Sequence, residues 1–333
     1  PDKSRLYVAN ANSDTVSVID TASDRVTHTF SAKPVKEIPF GSAPNALAVS
    51  PDGNTLYVAN GGNNLIAVLD AHKGKVRGTI PTGWYPSAIL PVQNGSLLCV
   101  ANLKGIGSRR KEVETASRPS PEPGKPVGHS SYDQMGSLSL VPTPDQAQLE
   151  SHTLKAAANM RLPLMESILD RPRGQRKIVP VPSRPGEKSV FKYVLYIIKE
   201  NRTYDQVFGD MPQGNGDPAL CQFGREVTPN HHALAEEFVL FDNFYCNGVL
   251  SADGHQWTDE GFVTDYLEKS FGEFTRSYPY DGDDALAYAS SGFIWDQALA
   301  KGMTFRNYGE FVKAQIEPKT AKWADVYRDF TTG

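Results

Sequence analysis

One strand-like segment occurs three times in the first third of the 333-residue chain, and this repeat constrains the fold more than any other feature. The copies are Leu6–Asn10, Leu56–Asn60 and Leu98–Asn102. Apolar and polar residues alternate around them, and turn-forming stretches such as Ser50–Asn54 separate the alternating runs. A repeat of about 40–50 residues with several short antiparallel strands is typical of a β-propeller blade. We therefore predict all-β propeller blades over residues 1–145, with a long loop at 105–133.

The repeats resemble the YVTN-type β-propeller family, in which Tyr-Val-x-Asn is followed later in the blade by Gly-x-x-Pro. Gly41–Pro44 and Gly83–Pro86 match that second motif, and Gly136–Val141 adds a possible further strand. About two and a half blades are visible, whereas a closed propeller needs at least four. The chain also starts at Pro1 without an initiator methionine, so we expect a fragment. We interpret the repeated tyrosines and valines as core and the repeated Asp and Asn as turn formers.

Composition excludes several classes of function. The 34 Lys and Arg against 38 Asp and Glu leave a net charge of −4, which gives no basic surface for nucleic acid or an anionic membrane. No apolar run approaches the ~20 residues of a transmembrane helix. Three cysteines, Cys99, Cys221 and Cys246, form neither a disulfide framework nor a zinc-ligand spacing.

The middle of the chain, residues 146–190, reads as a helical segment followed by a linker. The helical pattern at 151–170 is divided by Pro163, and the stretch Pro172–Lys188 is rich in proline.

Beyond residue 190 the period of the pattern changes. The continuous apolar run Tyr193–Ile198 is typical of a strand buried on both faces of a parallel sheet. Val239–Phe241 and Met303–Tyr308 are further candidate strands. Helices are predicted from Thr228, a good N-cap before a proline, and over Phe293–Ala300. Residues 191–333 therefore read as part of an α/β domain with a mostly parallel sheet.

Three polar residues in this half suggest chemistry. Glu200 and Asn201 follow the predicted strand Tyr193–Ile198, at the end where ligands collect in α/β sheets. Their oxygens suit a divalent cation. Ser251 precedes a predicted helix, where free backbone N–H groups favour a phosphate oxygen, and a nearby metal could activate it as a nucleophile.

Glu200–Asp205 resembles the Glu-Asn-Arg-Ser/Thr-Phe/Tyr-Asp segment of the phosphoesterase family, which includes bacterial phospholipases C and acid phosphatases of the alkaline-phosphatase superfamily. Asp242–Tyr245 and Gly248–Ser251 resemble its next block, and the stretch 278–310 looks like its continuation. This resemblance implies that Glu200 and Asn201 bind a divalent metal (Zn, Ca, Mg or Mn). It also implies that Ser251 is both a metal ligand and the phosphorylated nucleophile.

The function implied is metal-dependent hydrolysis of phosphate esters, with the propeller as a binding module for a protein or glycan. The resemblance also implies a periplasmic or extracellular location. Asn201 could instead direct its amide at a phosphate oxygen. Arg202 is either a phosphate clamp or half of a surface ion pair.

The histidines and other acidic residues have competing interpretations. His255, four residues after Ser251, could touch the substrate or protonate a leaving group. His231 and His232 share a predicted helix, where packing or capping is the favoured interpretation. Asp253 is a cap or a ligand. An acidic cluster could bind Ca²⁺ but reads more readily as a solvated turn; it comprises Asp281, Asp283 and Asp284.

The family completes its metal site from a later segment, and nothing after Gly309 looks like that segment. Glu310, Glu317 and Asp325 are available but match no motif. The alternative function is therefore a non-catalytic surface or binding protein with a degenerate phosphoesterase-like domain.

Overall fold

The computed structural model describes residues 3–105, 135–169, 178–182, 184, 186–269 and 285–311. Almost all of the predicted loop at 105–133, eight of the 17 residues of the linker Pro172–Lys188 and the acidic cluster at 281–284 lie outside these residues, as do Glu317 and Asp325. The chain divides into two compact units. Unit 1 comprises the residues up to Pro163 together with those from Asn247 onward, and unit 2 is Leu164–Cys246.

Unit 1 contains three antiparallel sheets, which confirms the prediction of propeller blades. The first sheet has three strands in the order β1 (Arg5–Asn10), β2 (Thr15–Asp20) and β3 (Arg25–Ser31). The second has four, β4 (Pro44–Val49), β5 (Thr55–Asn60), β6 (Leu65–Asp70) and β7 (Val76–Pro81). The third has β8 (Trp84–Val92), β9 (Leu97–Gly105) and β10 (Ser137–Pro142), with β9 in the middle. The strand predicted at 136–141 is β10, and the three repeats are β1, β5 and β9.

The alternation along β5 explains how the sheets stack. Leu56 and Val58 face a cluster that includes residues of the first sheet, whereas Tyr57 and Ala59 face a cluster that includes residues of the third. Because the second sheet lies between two others, β5 is buried on both faces. Burying one such aliphatic side chain contributes about 1.5–3 kcal/mol, so stacking is the main stabilising interaction among the blades.

Two equivalent turn residues tie each sheet to the next. Asp14 has a left-handed backbone, with φ of 55°, and its carboxylate accepts the N–H groups of Gly41 (2.9 Å) and Ala43 (3.1 Å) just before β4. Asn64, with φ of 56°, accepts the N–H of Tyr85 (2.8 Å) at the start of β8. Asp and Asn are the residues that best tolerate this backbone while bonding locally.

The asparagine that ends each repeat also has a structural role. Asn60 Nδ2 donates to the carbonyl of Ala32 at 2.7 Å, and Asn102 Nδ2 donates to Ser139 Oγ at 2.8 Å. These contacts satisfy buried polar atoms inside or between sheets, which agrees with the structural interpretation of the repeat.

Two helices follow the blades, α1 (Gln146–Asn159) and α2 (Leu162–Leu169). Asp145 and Gln148 form a reciprocal capping box at the start of α1. The helices separate at Arg161, which has a positive φ of 55°, and not at Pro163. Pro163 lies in the first turn of α2, where a missing N–H costs nothing.

Helix α1 packs on β7, the outer edge of the second sheet. Thr153 Oγ lies 2.9 Å from the N–H of Thr79, which donates to it, and Leu149 belongs to the apolar cluster beneath. An uncovered edge strand exposes unpaired N–H and C=O groups. The helix therefore closes this edge of the sheet.

The described residues after Asn247, 248–269 and 285–311, belong to the same unit as the blades and contact them. They form α5 (Ser251–Asp259), α6 (Asp265–Lys269) and α7 (Ile294–Ala300), the last at the predicted helix. The sequence predicts these residues in one domain with residues 191–246, whereas the structure groups them with unit 1.

Three contacts carry this docking. The rings of Phe40 and Phe262 lie 4.9 Å apart between centroids. The hydroxyl of Tyr85 donates to Asp265 at 2.9 Å, and the buried pair Lys104–Glu268 has an N–O distance of 2.7 Å. Each contact joins residues far apart in the chain, so no local sequence pattern predicts it.

Among its described residues, unit 2 contains α3 (Tyr204–Phe208) and α4 (Pro229–Glu237) as well as most of α2, and α4 begins where Thr228 and Pro229 predict. The predicted strands Tyr193–Ile198, Val239–Phe241 and Met303–Tyr308 are wrong, since the structure assigns no strand to these residues. Tyr193 is 90% exposed. An apolar run becomes a strand only with neighbouring strands to pair with, and within the described residues none pairs with these.

Candidate functional site

Ser251 is the first residue of α5 and is half-buried. The Asp253 carboxylate accepts the N–H groups of Val249 (2.8 Å) and Leu250 (2.9 Å), which fixes the chain as it enters the helix. The capping interpretation of Asp253 is therefore confirmed. A Cβ on Gly248 would lie 2.7 Å from Gly254 Cα, so the close approach of loop and helix requires glycine there.

His255 lies one turn after Ser251 on the same face of α5, about 6 Å along the helix axis. The ring is 7% exposed, and Nδ1 lies 2.5 Å from Oε1 of Glu310. The ring of Phe311 packs edge-on against it, with centroids 6.4 Å apart. A carboxylate at Nδ1 orients the imidazole and favours a proton on that nitrogen.

Asp259 continues the same helix face one turn beyond His255, and it is buried. Burial, a hydrogen bond with Glu310 and the charge of Glu310 raise the pKa of Asp259 to about 7, while His255 opposes the rise. His255, Asp259 and Glu310 offer ligand atoms that all lie within 4.8 Å of one another. We call these three residues the α5 cluster.

Glu310 reaches the α5 cluster from a turn held by Asn307. The side chain of Asn307 donates to the carbonyl of Glu310 (2.6 Å) and accepts the N–H groups of Gly309 (2.9 Å) and Glu310 (3.0 Å). Glu310 matches no sequence motif, and Asp259 is not among the residues predicted from the sequence to carry function. The i, i+4 spacing of His255 and Asp259 was the one available signal.

A second buried carboxyl group lies next to this face. The side chain of Glu260 accepts the N–H of Ala289 at 3.1 Å. Burial, followed by the charges of Asp259 and Asp296, raises the pKa of Glu260 to about 8. The C-terminal end of α5 is therefore rich in buried carboxyl groups.

In unit 2, Glu200, Asn201 and Arg202 line one cavity of about 610 Å³. The guanidinium of Arg202 lies 4.8 Å from the ring centroid of Phe223, and it donates to the carbonyl of Asn201 at 2.5 Å. His231 lines the same cavity. The structure thus brings three predicted site residues together in unit 2, and it places Ser251 and His255 together in unit 1.

His232 has a structural role, as the packing interpretation predicts. Its Nε2 lies 2.8 Å from Asp210 and its Nδ1 lies 2.9 Å from the carbonyl of Thr228. Phe208 packs edge-on against the ring. The hydrogen bond from His232 lowers the pKa of Asp210. Both ring nitrogens face acceptors, so the buried imidazole serves to hold α4 in place.

Comparison with known proteins supports the propeller region. The family model described as lactonase, 7-bladed β-propeller, matches residues 1–105. Among solved structures, the chain is similar to the hydrazine synthase of Kuenenia stuttgartiensis, with 29% identity and a TM-score of 0.28. That match covers 31% of this chain and 27% of the other, so it spans well under two thirds of the hydrazine synthase chain. No curated protein matches the sequence.

Two further findings bear on partners and redox chemistry. None of the helices in the described ranges has the length and apolar character that crossing a membrane requires. Cys99, Cys221 and Cys246 are free thiols, in agreement with the cysteine count.

Proposed function

We propose that this chain carries the serine nucleophile of a metal-dependent phosphoesterase and that its propeller blades act as a binding module. The observation that supports this most is the placement of Ser251 at the first position of α5, with the carboxylate-held His255 one turn away on the same face. The first N–H groups of a helix have no intrahelical acceptors, and they favour an anionic group beside them.

In the proposed reaction, Ser251 Oγ loses its proton to solvent and forms a bond to phosphorus as the ester P–O bond breaks. The departing alcohol oxygen takes a proton from His255, which enters this step with a proton on each ring nitrogen; His255 then regains a proton from the solvent that took up the proton of Ser251. Because Nδ1 of His255 faces Glu310, Nε2 is the atom assigned to that transfer. Water then attacks the phosphoserine, the P–Oγ bond breaks and the hydroxyl of Ser251 is restored.

The resemblance assigns a divalent cation to Glu200 and Asn201. Glu200 and Asn201 line one cavity and offer a carboxylate and an amide oxygen, a donor set that fits an oxygen-preferring cation. When bound, the cation would neutralise charge on the transferred phosphoryl group. Arg202, in the same cavity, would orient phosphate oxygens.

The test is hydrolysis of p-nitrophenyl phosphate and bis-p-nitrophenyl phosphate by the full chain, with Mg²⁺, Mn²⁺, Ca²⁺ or Zn²⁺ added in turn. Ser251→Ala should lower turnover by about 10³-fold or more, because it removes the group that forms the covalent intermediate. Ser167→Ala, at an exposed position of α2, is the matched control and should retain turnover.

Circular dichroism spectra must show that both variants fold. Turnover that survives Ser251→Ala would exclude Ser251 as nucleophile. A folded wild-type chain that is inactive with every cation would support the non-catalytic alternative.

A further inference from the structure

The α5 cluster has the composition and spacing of a cation site. The ligand atoms of His255, Asp259 and Glu310 all lie within 4.8 Å of one another. Ligands at about 2.0–2.2 Å from a common ion are themselves separated by about 3–4 Å. Small side-chain rotations therefore bring all three to one point, and we propose that the α5 cluster binds a divalent transition-metal ion.

Two different structural elements hold these ligands in place. His255 and Asp259 are one turn apart in α5, so the helix itself sets two ligands on one face. Glu310 comes from the turn in which Asn307 binds the backbone of Gly309 and Glu310. A site whose ligands are already positioned pays little ordering cost when the ion binds.

A second observation points to a missing ligand. Asp259 is 3% exposed, and among the described residues no hydrogen-bond donor reaches its Oδ2 atom; the side chain that contacts the Asp259 carboxyl group is the carboxyl group of Glu310. A buried carboxylate oxygen without a partner is costly. Among the residues that the structure describes, no lysine or arginine forms an ion pair with Asp259 or Glu310. His255 is their one basic partner within those residues. A divalent cation would supply both the charge and the contact that Oδ2 lacks.

The donor set selects the class of ion. One imidazole nitrogen with two carboxylate oxygens suits Zn²⁺ or Mn²⁺, whereas Ca²⁺ and Mg²⁺ prefer oxygen alone. The side chain of Glu310 is 22% exposed, so the ion has a route from solvent. Three protein ligands leave a coordination position for water or another ligand.

This site goes beyond the proposed ester hydrolysis. It shares His255 with the proposed reaction, but it does not use Glu200, Asn201 or Ser251, and metal binding does not require turnover. A cation there would be present in a purely binding protein as well. A direct measurement of metal binding therefore tests the site. The result of the Ser251→Ala turnover experiment does not change what this measurement is expected to show.

The experiment is calorimetric titration of the metal-free full chain with Zn²⁺, and separately with Ca²⁺. Wild type should bind Zn²⁺ at a site that Asp259→Asn and Glu310→Gln each weaken at least about tenfold, the loss typical of removing even an outer-shell partner. Ca²⁺ should show no site sensitive to these substitutions. Asp210→Asn is the matched control, because it alters a His–carboxylate pair outside the α5 cluster, the one with the buried His232, and should leave Zn²⁺ affinity unchanged.

Folding is checked for each variant by circular dichroism and by the thermal unfolding midpoint. Zn²⁺ should raise that midpoint for wild type and for Asp210→Asn, but not for Asp259→Asn. If Asp259→Asn does not fold, Glu310→Gln decides the question, since its partly exposed side chain tolerates the change. Equal Zn²⁺ affinity in wild type and Glu310→Gln would overturn the proposal, as would a folded wild type that binds no Zn²⁺.

Discussion

Gly78→Ala tests whether α1 is docked on the edge strand β7. A Cβ at Gly78 would lie 2.6 Å from Leu149 Cγ and 2.8 Å from Thr153 Oγ. Carbon atoms in contact are normally about 3.5–4.0 Å apart. The helix must therefore retreat by about 1 Å, which stretches the 2.9 Å hydrogen bond between Thr79 and Thr153 beyond its useful range.

The expected cost follows from these contacts. Overpacking of this kind costs about 1–3 kcal/mol, and loss of one hydrogen bond costs about 0.5–1.5 kcal/mol. Replacing glycine by alanine in an unobstructed strand would by itself stabilise by about 0.5–1 kcal/mol. The net expectation is a loss of about 0.5–4 kcal/mol in the free energy of unfolding, so the sign of the change distinguishes a docked helix from an absent one.

Urea unfolding followed by circular dichroism measures this loss, and hydrogen exchange of the Thr79 amide reports it locally. Leu149→Ala provides the matched second variant, because it removes the Leu149 atoms that lie closest to the added Cβ and leaves Thr153 Oγ in place. The two substitutions should be coupled by about 1 kcal/mol or more, with the second costing less in the presence of the first. A neutral or stabilising Gly78→Ala, or strict additivity, would show that α1 does not pack on β7.

Two further predictions concern other contacts of unit 1. Asp14→Ala should lower the free energy of unfolding by about 3 kcal/mol in urea titrations, because the N–H groups of Gly41 and Ala43 each lose a hydrogen bond to a charged acceptor. A loss below about 1 kcal/mol would contradict the proposed role of Asp14 in tying the first sheet to the second. Burial raises the pKa of Glu268 above its ordinary 4.5, while Lys104 opposes the rise. Because the pKa is raised in the folded state, the contribution of Glu268 to stability is complete below pH 4.5 and is lost as the pH rises through the folded-state pKa. In urea titrations, wild type should therefore lose free energy of unfolding relative to Glu268→Gln across that pH range. A difference between the two proteins that does not change with pH would refute this.

The blades could be predicted because their signals are local. Each strand is indicated by alternation of apolar and polar residues, and the turn residues that bound it lie within about ten residues. The same local signals predict β10. The helix starts at Pro229 and near Phe293 are likewise set by neighbouring residues. The strand predicted at Tyr193–Ile198 failed because apolar character alone does not supply a partner strand.

In the candidate site, too, local features could be predicted from the sequence and long-range contacts could not. Ser251 and His255 could be placed on one helix face from their spacing. Glu310 could not be joined to them, since a turn fixed by Asn307 and packing around Phe311 bring it to α5. The docking of α6 on the blades through Tyr85 and Lys104 also links residues more than 150 positions apart.

By itself, the sequence determined that the first third of this chain forms stacked antiparallel blades and that Ser251 begins a helix, because strand alternation, turns and helix starts depend on neighbouring residues. Only the tertiary structure decided that residues after Asn247 pack on those blades and that His255, Asp259 and Glu310 meet. These long-range contacts depend on how apolar surfaces from distant parts of the chain pack together. The spacing of residues along the sequence does not predict that packing.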